Sequence, residues 1–340
     1  MLDSIGFASA APWLGDGSLS WVGNLSGAGP LLAPTRIASD GFDLAAGSLR
    51  ANGALALDLT GTPKLTGRIS AETLPLPLLA LRAPDPLPTG LLAGWAGSVK
   101  FEAGQILVGQ SPVLQHLATT ISLDGGTLRL DGIAATLASG KLSGKLALAA
   151  ADGAPALSGE LALAGATPAG ALFELPLDLS GGVLDASAKL TASGYSSAAL
   201  LATLSGTLSV SGRDGVIDGI DLARAGLRLE PADLRAALAG GSTAFEQLDL
   251  AATLTNGAVN FTSARFNGPA GTGDAAGFVD IAGRTMEMRL ALHRAVTDPP
   301  ELGLRLSGSV AAPARTPELA DAIRWRTEHP PAAPAWITPH

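Results

Sequence analysis

The chain is 340 residues long, carries a formal net charge of −8 and no cysteine, and is 47% hydrophobic but only 15% charged and 4% aromatic. The missing cysteines exclude disulfides, thiolate metal sites and thiol catalysis, and an acidic chain without clustered Lys/Arg argues against a nucleic-acid partner. Aliphatic residues are too abundant for a disordered chain, yet no window reaches the roughly 18–20 uninterrupted apolar residues of a membrane-spanning helix.

Residues 1–40 read as N-terminal strands or a partial repeat, and the opening Met1-Leu2-Asp3-Ser4-Ile5-Gly6 lacks the basic start and apolar stretch of a secretion signal. From residue 41 to 200 period-two patterning dominates: Leu55-Ala56-Leu57-Asp58-Leu59, Leu128-Arg129-Leu130-Asp131, Leu146-Ala147-Leu148 and Leu161-Ala162-Leu163. Large aliphatics every second residue predict strands with one apolar face. Leu74 to Leu81 is expected to form a turn or two of helix after Pro77. Leu81 to Gly97, with Pro84, Pro86 and Pro88, reads as an irregular loop. Turn signals follow at Asp124-Gly125-Gly126, Asp152-Gly153, Asp214-Gly215 and Asp218-Gly219. Short helices are predicted at Ser196–Leu204 and at Pro231–Leu238, the second with Pro at its start and Gly240-Gly241 at its end. The alternating Leu248, Leu250, Ala252, Leu254 run into Asn256-Gly257 and out through Val259 and Phe261, as a hairpin requires. Thr316 to Trp325 predicts a terminal helix within 316–329, and Pro330-Pro331 opens a disordered tail over 330–340.

Internal similarity adds a second pattern. Leu65-Thr66-Gly67, Leu142-Ser143-Gly144, Leu157-Ser158-Gly159, Leu179-Ser180-Gly181, Leu204-Ser205-Gly206 and Leu306-Ser307-Gly308 each stand two residues before another aliphatic or small strand residue. Gly midway between the two outer aliphatics, which are four residues apart, leaves a gap on the apolar face and permits a bulge or bend, so repeated copies would let a sheet curl. The irregular spacing excludes a strict solenoid.

About a dozen one-faced strands must bury their aliphatics, each Leu being worth roughly 1.5–3 kcal/mol, and few helices are available to cover them. The expected fold is therefore mainly β: a curled, twisted antiparallel sheet forming an open apolar groove, with a few short helices. An outer-membrane barrel is disfavoured, since aromatic girdles are missing and Tyr195 is the only tyrosine. A smooth aliphatic lining suits acyl chains, which need no hydrogen-bond partners. The candidate wall residues are Leu128, Leu130, Leu146, Leu148, Leu161, Leu163, Leu208, Val210, Leu248, Leu250 and Leu254. Gly206→Leu, at a predicted gap in that wall, is expected to block a groove while sparing a scaffold's outer surface.

From Leu204-Ser205-Gly206-Thr207-Leu208-Ser209-Val210 through Arg213-Asp214-Gly215-Val216-Ile217-Asp218-Gly219 to Phe278-Val279-Asp280-Ile281 and Leu302-Gly303-Leu304-Arg305-Leu306, the chain resembles the AsmA-like C-terminal region. The resemblance covers 201–315 most specifically, and residues 41–200 are similar to that family's looser upstream strand repeats. It implies an envelope protein of Gram-negative bacteria, periplasmic and associated with the inner membrane, active in outer-membrane assembly and lipid homeostasis. The family is also similar to bridge-like lipid-transfer proteins with long hydrophobic grooves. Its members normally begin with a membrane helix, which this chain lacks, so a fragment, a truncated gene model or a partner-dependent module are all open readings. The expected partners are a phospholipid or other acyl-chain lipid, with a membrane or membrane protein at one end. The alternative is a scaffold assisting outer-membrane protein assembly without bound lipid.

No catalytic residues, metal or cofactor are expected. Asp214, Asp218 and Asp221 superficially resemble a calcium loop, but two of them precede Gly and read as turn residues. Gly271-Thr272-Gly273-Asp274 approaches a dinucleotide fingerprint without the helix it needs. Gly194-Tyr195-Ser196-Ser197-Ala198 lacks the closing Gly of a nucleophile elbow. His116, His293, His329 and His340 are scattered, and the carboxylates form no acid–base pair. Trp13, Trp21, Trp325 and Trp336 near the two ends suit either packing or a membrane interface.

Overall fold

The computed structural model describes residues 19–30, 33–47, 49–76, 83–108, 111–150, 153–170, 177–225, 230–296 and 298–329. It is mainly β, as the alternation predicts, and its residues cluster into two compact units. The first comprises residues 1–166, 185–208 and 254–257; the second comprises 167–184, 209–253 and 258–340.

In the first unit, β1 (Leu19–Gly23) and β2 (Ser26–Ala28) both pair antiparallel with β3 (Arg36–Ala46), so together they make one interrupted edge. The sheet continues through β4 (Leu49–Asp58), β5 (Lys64–Leu76), β6 (Ala96–Val108), β7 (Ser111–Asp124), β8 (Thr127–Leu137), β9 (Gly140–Ala149) and β10 (Ala156–Ala166). Every one of these neighbours is antiparallel except β5 and β6, which run parallel. A parallel step needs a long return connection, and the Pro-rich stretch before β6 supplies it, with a 3₁₀ turn at Thr89–Leu92. Leu74–Leu76 end β5, and the helical turns expected after Pro77 lie outside the described residues.

Two of the turn signals form two-residue hairpins as expected. Gly125 (φ 54°) and Gly126 (φ 81°) join β7 to β8 in two residues. Asn256 (φ 50°) and Gly257 (φ 78°) join β13 (Ser242–Thr255) to β14 (Ala258–Gly268) in the same way. Positive φ at both central residues matches the twist of the flanking strands. Asp214-Gly215 is different: it lies inside β12 (Ser205–Asp218), where Asp214 at φ 53° marks a strand irregularity and not a connection. Irregularities also interrupt the ladders at Ser39/Phe42, at Gln115 to Thr120 around His116 (φ 52°), and at Leu130/Ile133 around Gly132 (φ 63°). Each inserts residues that bend its strand.

β11 (Asp178–Ser193) and β12 contribute residues to both units. In the first unit they flank α1 (Ser197–Thr203), whose N-cap Ser196 accepts a hydrogen bond from the Ala199 amide at 3.1 Å. In the second unit, β14, β15 (Gly271–Asp280), β16 (Thr285–Arg294), β17 (Leu302–Ser309) and β18 (Ala314–Glu318) form an antiparallel meander. α2 (Pro231–Ala239) starts at the expected Pro and buries Leu234, Ala237 and Leu238, packing on the turn Ala223–Ala225 and on β18. The terminal helix, α3 (Ala320–Glu328), begins later than expected. Thr316-Pro317-Glu318 instead belong to β18, where Pro317 sits on an edge strand that needs no outward donor. Within this unit Leu292, Leu302, Leu304 and Leu306 are at most 1% exposed and belong to its core.

Candidate functional site

The register of the first unit places its aliphatics in rows. One row runs Ile37, Leu57, Leu65, Gly97, Leu123, Leu128, Leu148, Leu157 across the eight strands β3 to β10. The next runs Ser39, Leu55, Gly67, Val99, Ile121, Leu130, Leu146, Gly159. Directly opposed residues share a face, so both rows point the same way. With strands about 4.8 Å apart, the seven steps make an apolar band roughly 34 Å wide. Alternate residues such as Lys64, Lys100, Arg129, Lys145 and Glu160 fall on the other face, where Lys145 and Glu160 pair at 3.2 Å with both side chains exposed.

The band is not covered. Of the two rows, only Ser39, Val99 and Gly159 are buried, and the leucines are all half-buried. Nearer β3 to β7, Ala51, Ala71, Ala103 and Ile106 make a small core to which Leu44, Ile69, Phe101 and Leu117 add partly buried surface. Small side chains at its centre let the neighbouring aliphatics lie flat. Such a surface can hold hydrocarbon, and it offers nothing for proton transfer or metal binding.

The triplet glycines serve the strand contacts more than they open gaps. A Cβ on Gly159 would meet Leu146 Cδ2 at 2.4 Å, so that glycine receives a leucine from the neighbouring strand, while one on Gly144 would meet the Glu160 carbonyl at 2.3 Å before Leu161 Cδ2 at 2.8 Å. Gly67 and Gly206 are closer still: their Cβ positions lie 2.1 Å from the Ala54 carbonyl and 1.9 Å from the Lys189 carbonyl. Gly206→Leu therefore breaks the β11–β12 contact before it can plug anything, contrary to the expectation from sequence. Gly181 and Gly308 have open space around them but adopt φ of 64° and 96°, which favour glycine.

Of the predicted wall residues, Leu128, Leu130, Leu146, Leu148, Leu161 and Leu163 come together on this band, in direct register through Leu128–Leu148 and Leu130–Leu146. Leu208 and Leu254 also belong to the first unit, half-buried and 7% exposed respectively. Val210, Leu248 and Leu250 belong to the second unit, where the latter two line a cavity. The sequence reading missed Ile37, Leu57, Leu65, Leu123 and Ile121, which extend the band to β3. Their alternation was visible, but nothing before pairing showed that they share rows with Leu128 and Leu130.

The aspartates of the calcium-like stretch serve local structure. Asp218 accepts from the Ser180 hydroxyl at 2.5 Å and Asp221 accepts from the Arg224 amide at 2.9 Å. Among the described residues no group of three or more His, Cys, Asp or Glu is placed to hold a metal ion. Gly271–Asp280 is strand β15, not a phosphate-binding turn. His116 is exposed on β7, and His329 stacks on Trp325 with ring centroids 4.4 Å apart. Trp21 is exposed on the edge strand β1, while Trp13, Trp336, His340 and the 330–340 tail lie outside the described residues. No helix among the described residues is long and apolar enough to cross a membrane.

No curated protein and no solved structure matches the chain. Residues 83–264, more than half its length and including β6 to β10 of the apolar band, match the model of the AsmA family, and the chain belongs to that family.

Proposed function

We propose that this protein holds lipid acyl chains against the apolar band of its first unit, as a non-enzymatic lipid-binding or lipid-conducting component of the Gram-negative envelope that supports outer-membrane biogenesis. The observation that carries the reading is the pair of largely aliphatic rows that cross eight strands, interrupted only by Gly97, Ser39, Gly67 and Gly159, with their leucines half-buried. Water against such a surface is unfavourable, and hydrocarbon relieves that cost without demanding any hydrogen bond. Acyl chains lie across the rows and exchange along them, while headgroups stay in water. Membership of the AsmA family supports a place in the envelope, and the ligand of this reading is a phospholipid, with a membrane or membrane protein at one end.

The test is native mass spectrometry of protein purified without detergent, paired with the variant Leu130→Asp/Leu146→Asp. These residues are cross-strand neighbours, so two carboxylates at the centre of the band make hydrocarbon contact unfavourable there. The unaltered protein is expected to carry phospholipid and the double variant to retain under a tenth as much, with an unchanged far-ultraviolet circular dichroism spectrum. A folded, monodisperse protein that stays lipid-free after incubation with phospholipid vesicles would overturn the proposal.

A further inference from the structure

The second unit holds a half-open cavity of about 250 Å³ whose wall runs from Leu179 on β11 through Phe266 on β14 and Met286 and Met288 on β16 to Leu306 on β17. With strands about 4.8 Å apart, a flat sheet would hold β11 and β17 roughly 29 Å from each other. Both line one small space, so the sheet of this unit curls around it. We propose that this cavity is a separate site that takes a single hydrocarbon chain of about ten carbons, too small for a two-chain lipid. The assignment rests on reading the protein as lipid-binding, but it concerns a different set of residues.

The chemistry of the wall names the occupant. Its charged members are Asp178, Arg265 and Asp274. Asp178 accepts the Leu179 amide at 2.7 Å, and Arg265 pairs with Asp274 at 2.8 Å. The wall therefore makes no call on a polar guest, and a polar group drawn inside would lose its water without replacement. Apolar cavities of about 150 Å³ stay dry and take one benzene, so scaling by volume gives room for about ten carbons here. Met286 and Met288 face the same side of β16, and their unbranched thioethers adjust to a chain better than branched side chains do.

Those two residues also provide the assay, because the chain has only three methionines. Protein labelled with ¹³C at the methionine methyls is titrated with 1-decanol and, separately, with dimyristoyl phosphatidylcholine vesicles, and Met286→Leu assigns the resonances. A bimane on Leu146→Cys, a unique thiol in a cysteine-free chain, reports on the first unit in parallel. Decanol is expected to shift both wall methyls saturably, and the vesicles are expected to leave them unmoved. Ala275→Leu, which adds bulk to the wall, should weaken decanol at least tenfold. Leu250→Ala, which lengthens the space, should favour 1-dodecanol over 1-decanol about fivefold relative to the unaltered protein. Silent wall methyls at saturating decanol, or shifts indifferent to both substitutions, overturn the pocket. If the methyls stay silent while the bimane responds to phospholipid, the pocket fails and the proposed function stands; saturable methyl shifts with an unresponsive bimane support the pocket and count against lipid on the band.

Discussion

Two glycines of the same triplet pattern are predicted to differ sharply when replaced by alanine. At Gly206 the backbone has φ of 149°, and a Cβ would lie 1.9 Å from the Lys189 carbonyl oxygen. No side-chain movement relieves a clash with backbone, so the strand must separate locally from β11. Strain at such a φ costs about 1–3 kcal/mol, and one lost ladder hydrogen bond adds about 1 kcal/mol, for a total near 3 kcal/mol. At Gly159 φ is not positive, and the Cβ meets only Leu146 Cδ2, at 2.4 Å, with the Lys145 carbonyl at an ordinary 3.5 Å. Leu146 is half-buried at the band and can change rotamer, at about 0.5–1.5 kcal/mol. The alanine recovers about 0.4–1 kcal/mol by restricting the unfolded chain. Gly159→Ala should therefore fall within about 1 kcal/mol of the unaltered protein. Thermal unfolding followed by circular dichroism should show Gly206→Ala lower by about 6–12 °C, and Gly159→Ala by no more than about 4 °C. Equal losses, or the larger loss at Gly159, would refute the distinction between a glycine needed by the backbone and one that admits a neighbouring leucine.

Two further predictions concern groups away from the band. Arg315 of β18 donates from Nε at 3.2 Å and from a terminal nitrogen at 3.0 Å to the Leu238 carbonyl at the end of α2, and also to the Gly219 carbonyl. Burial holds its guanidinium pKa below the ordinary value. Arg315→Gln should destabilise the second unit by about 2–3 kcal/mol through those orphaned carbonyls, with hydrogen exchange accelerating first in α2. Asp58 accepts from both the hydroxyl and the amide of Thr60, and these bonds hold its pKa below the ordinary 3.8. Its contribution to stability is thus complete above the unfolded value and is lost as pH falls through the folded one. A carboxyl-resolved NMR titration should find its midpoint below 3.8, and Thr60→Val should move it upward.

Much of this architecture was legible because period-two alternation and two-residue turn signals are local. Asp124-Gly125-Gly126 and Asn256-Gly257 specify their hairpins through φ alone, and Pro231 with Gly240 bounds α2 through the first and last turns of a helix. The misread elements are those decided by something distant. Thr316-Pro317-Glu318 has the composition of a helix start, but pairing with Gly303–Arg305 holds it as strand. Asp214-Gly215 has the composition of a turn, but it lies where β12 continues past Gly182 of β11, whose Cβ position falls 2.5 Å from the Arg213 carbonyl. For the wall, the leucines themselves were plain, whereas their rows required the register, including the parallel step between β5 and β6 that no local signal announces.

The same alternation also yields opposite outcomes in the two units, and this bears most directly on function. Leu302, Leu304 and Leu306 alternate along β17 just as Leu128 and Leu130 do along β8 and Leu146 and Leu148 along β9. In the second unit such leucines are at most 1% exposed, and the helices α2 and α3 bury Leu234, Ala237, Leu238 and Ala322 beside that core. In the first unit the leucines of β8 and β9 stay half-buried, and its one α-helix among the described residues, α1, buries none of its own residues. An aliphatic strand face is therefore neutral evidence for a ligand until its cover is known. What separates the two here is exposure: Leu302, Leu304 and Leu306 of β17 are shielded from solvent, whereas the leucines of β8 and β9 are only half-buried. The proposed hydrocarbon ligand is chosen because its chemistry matches that half-buried aliphatic surface.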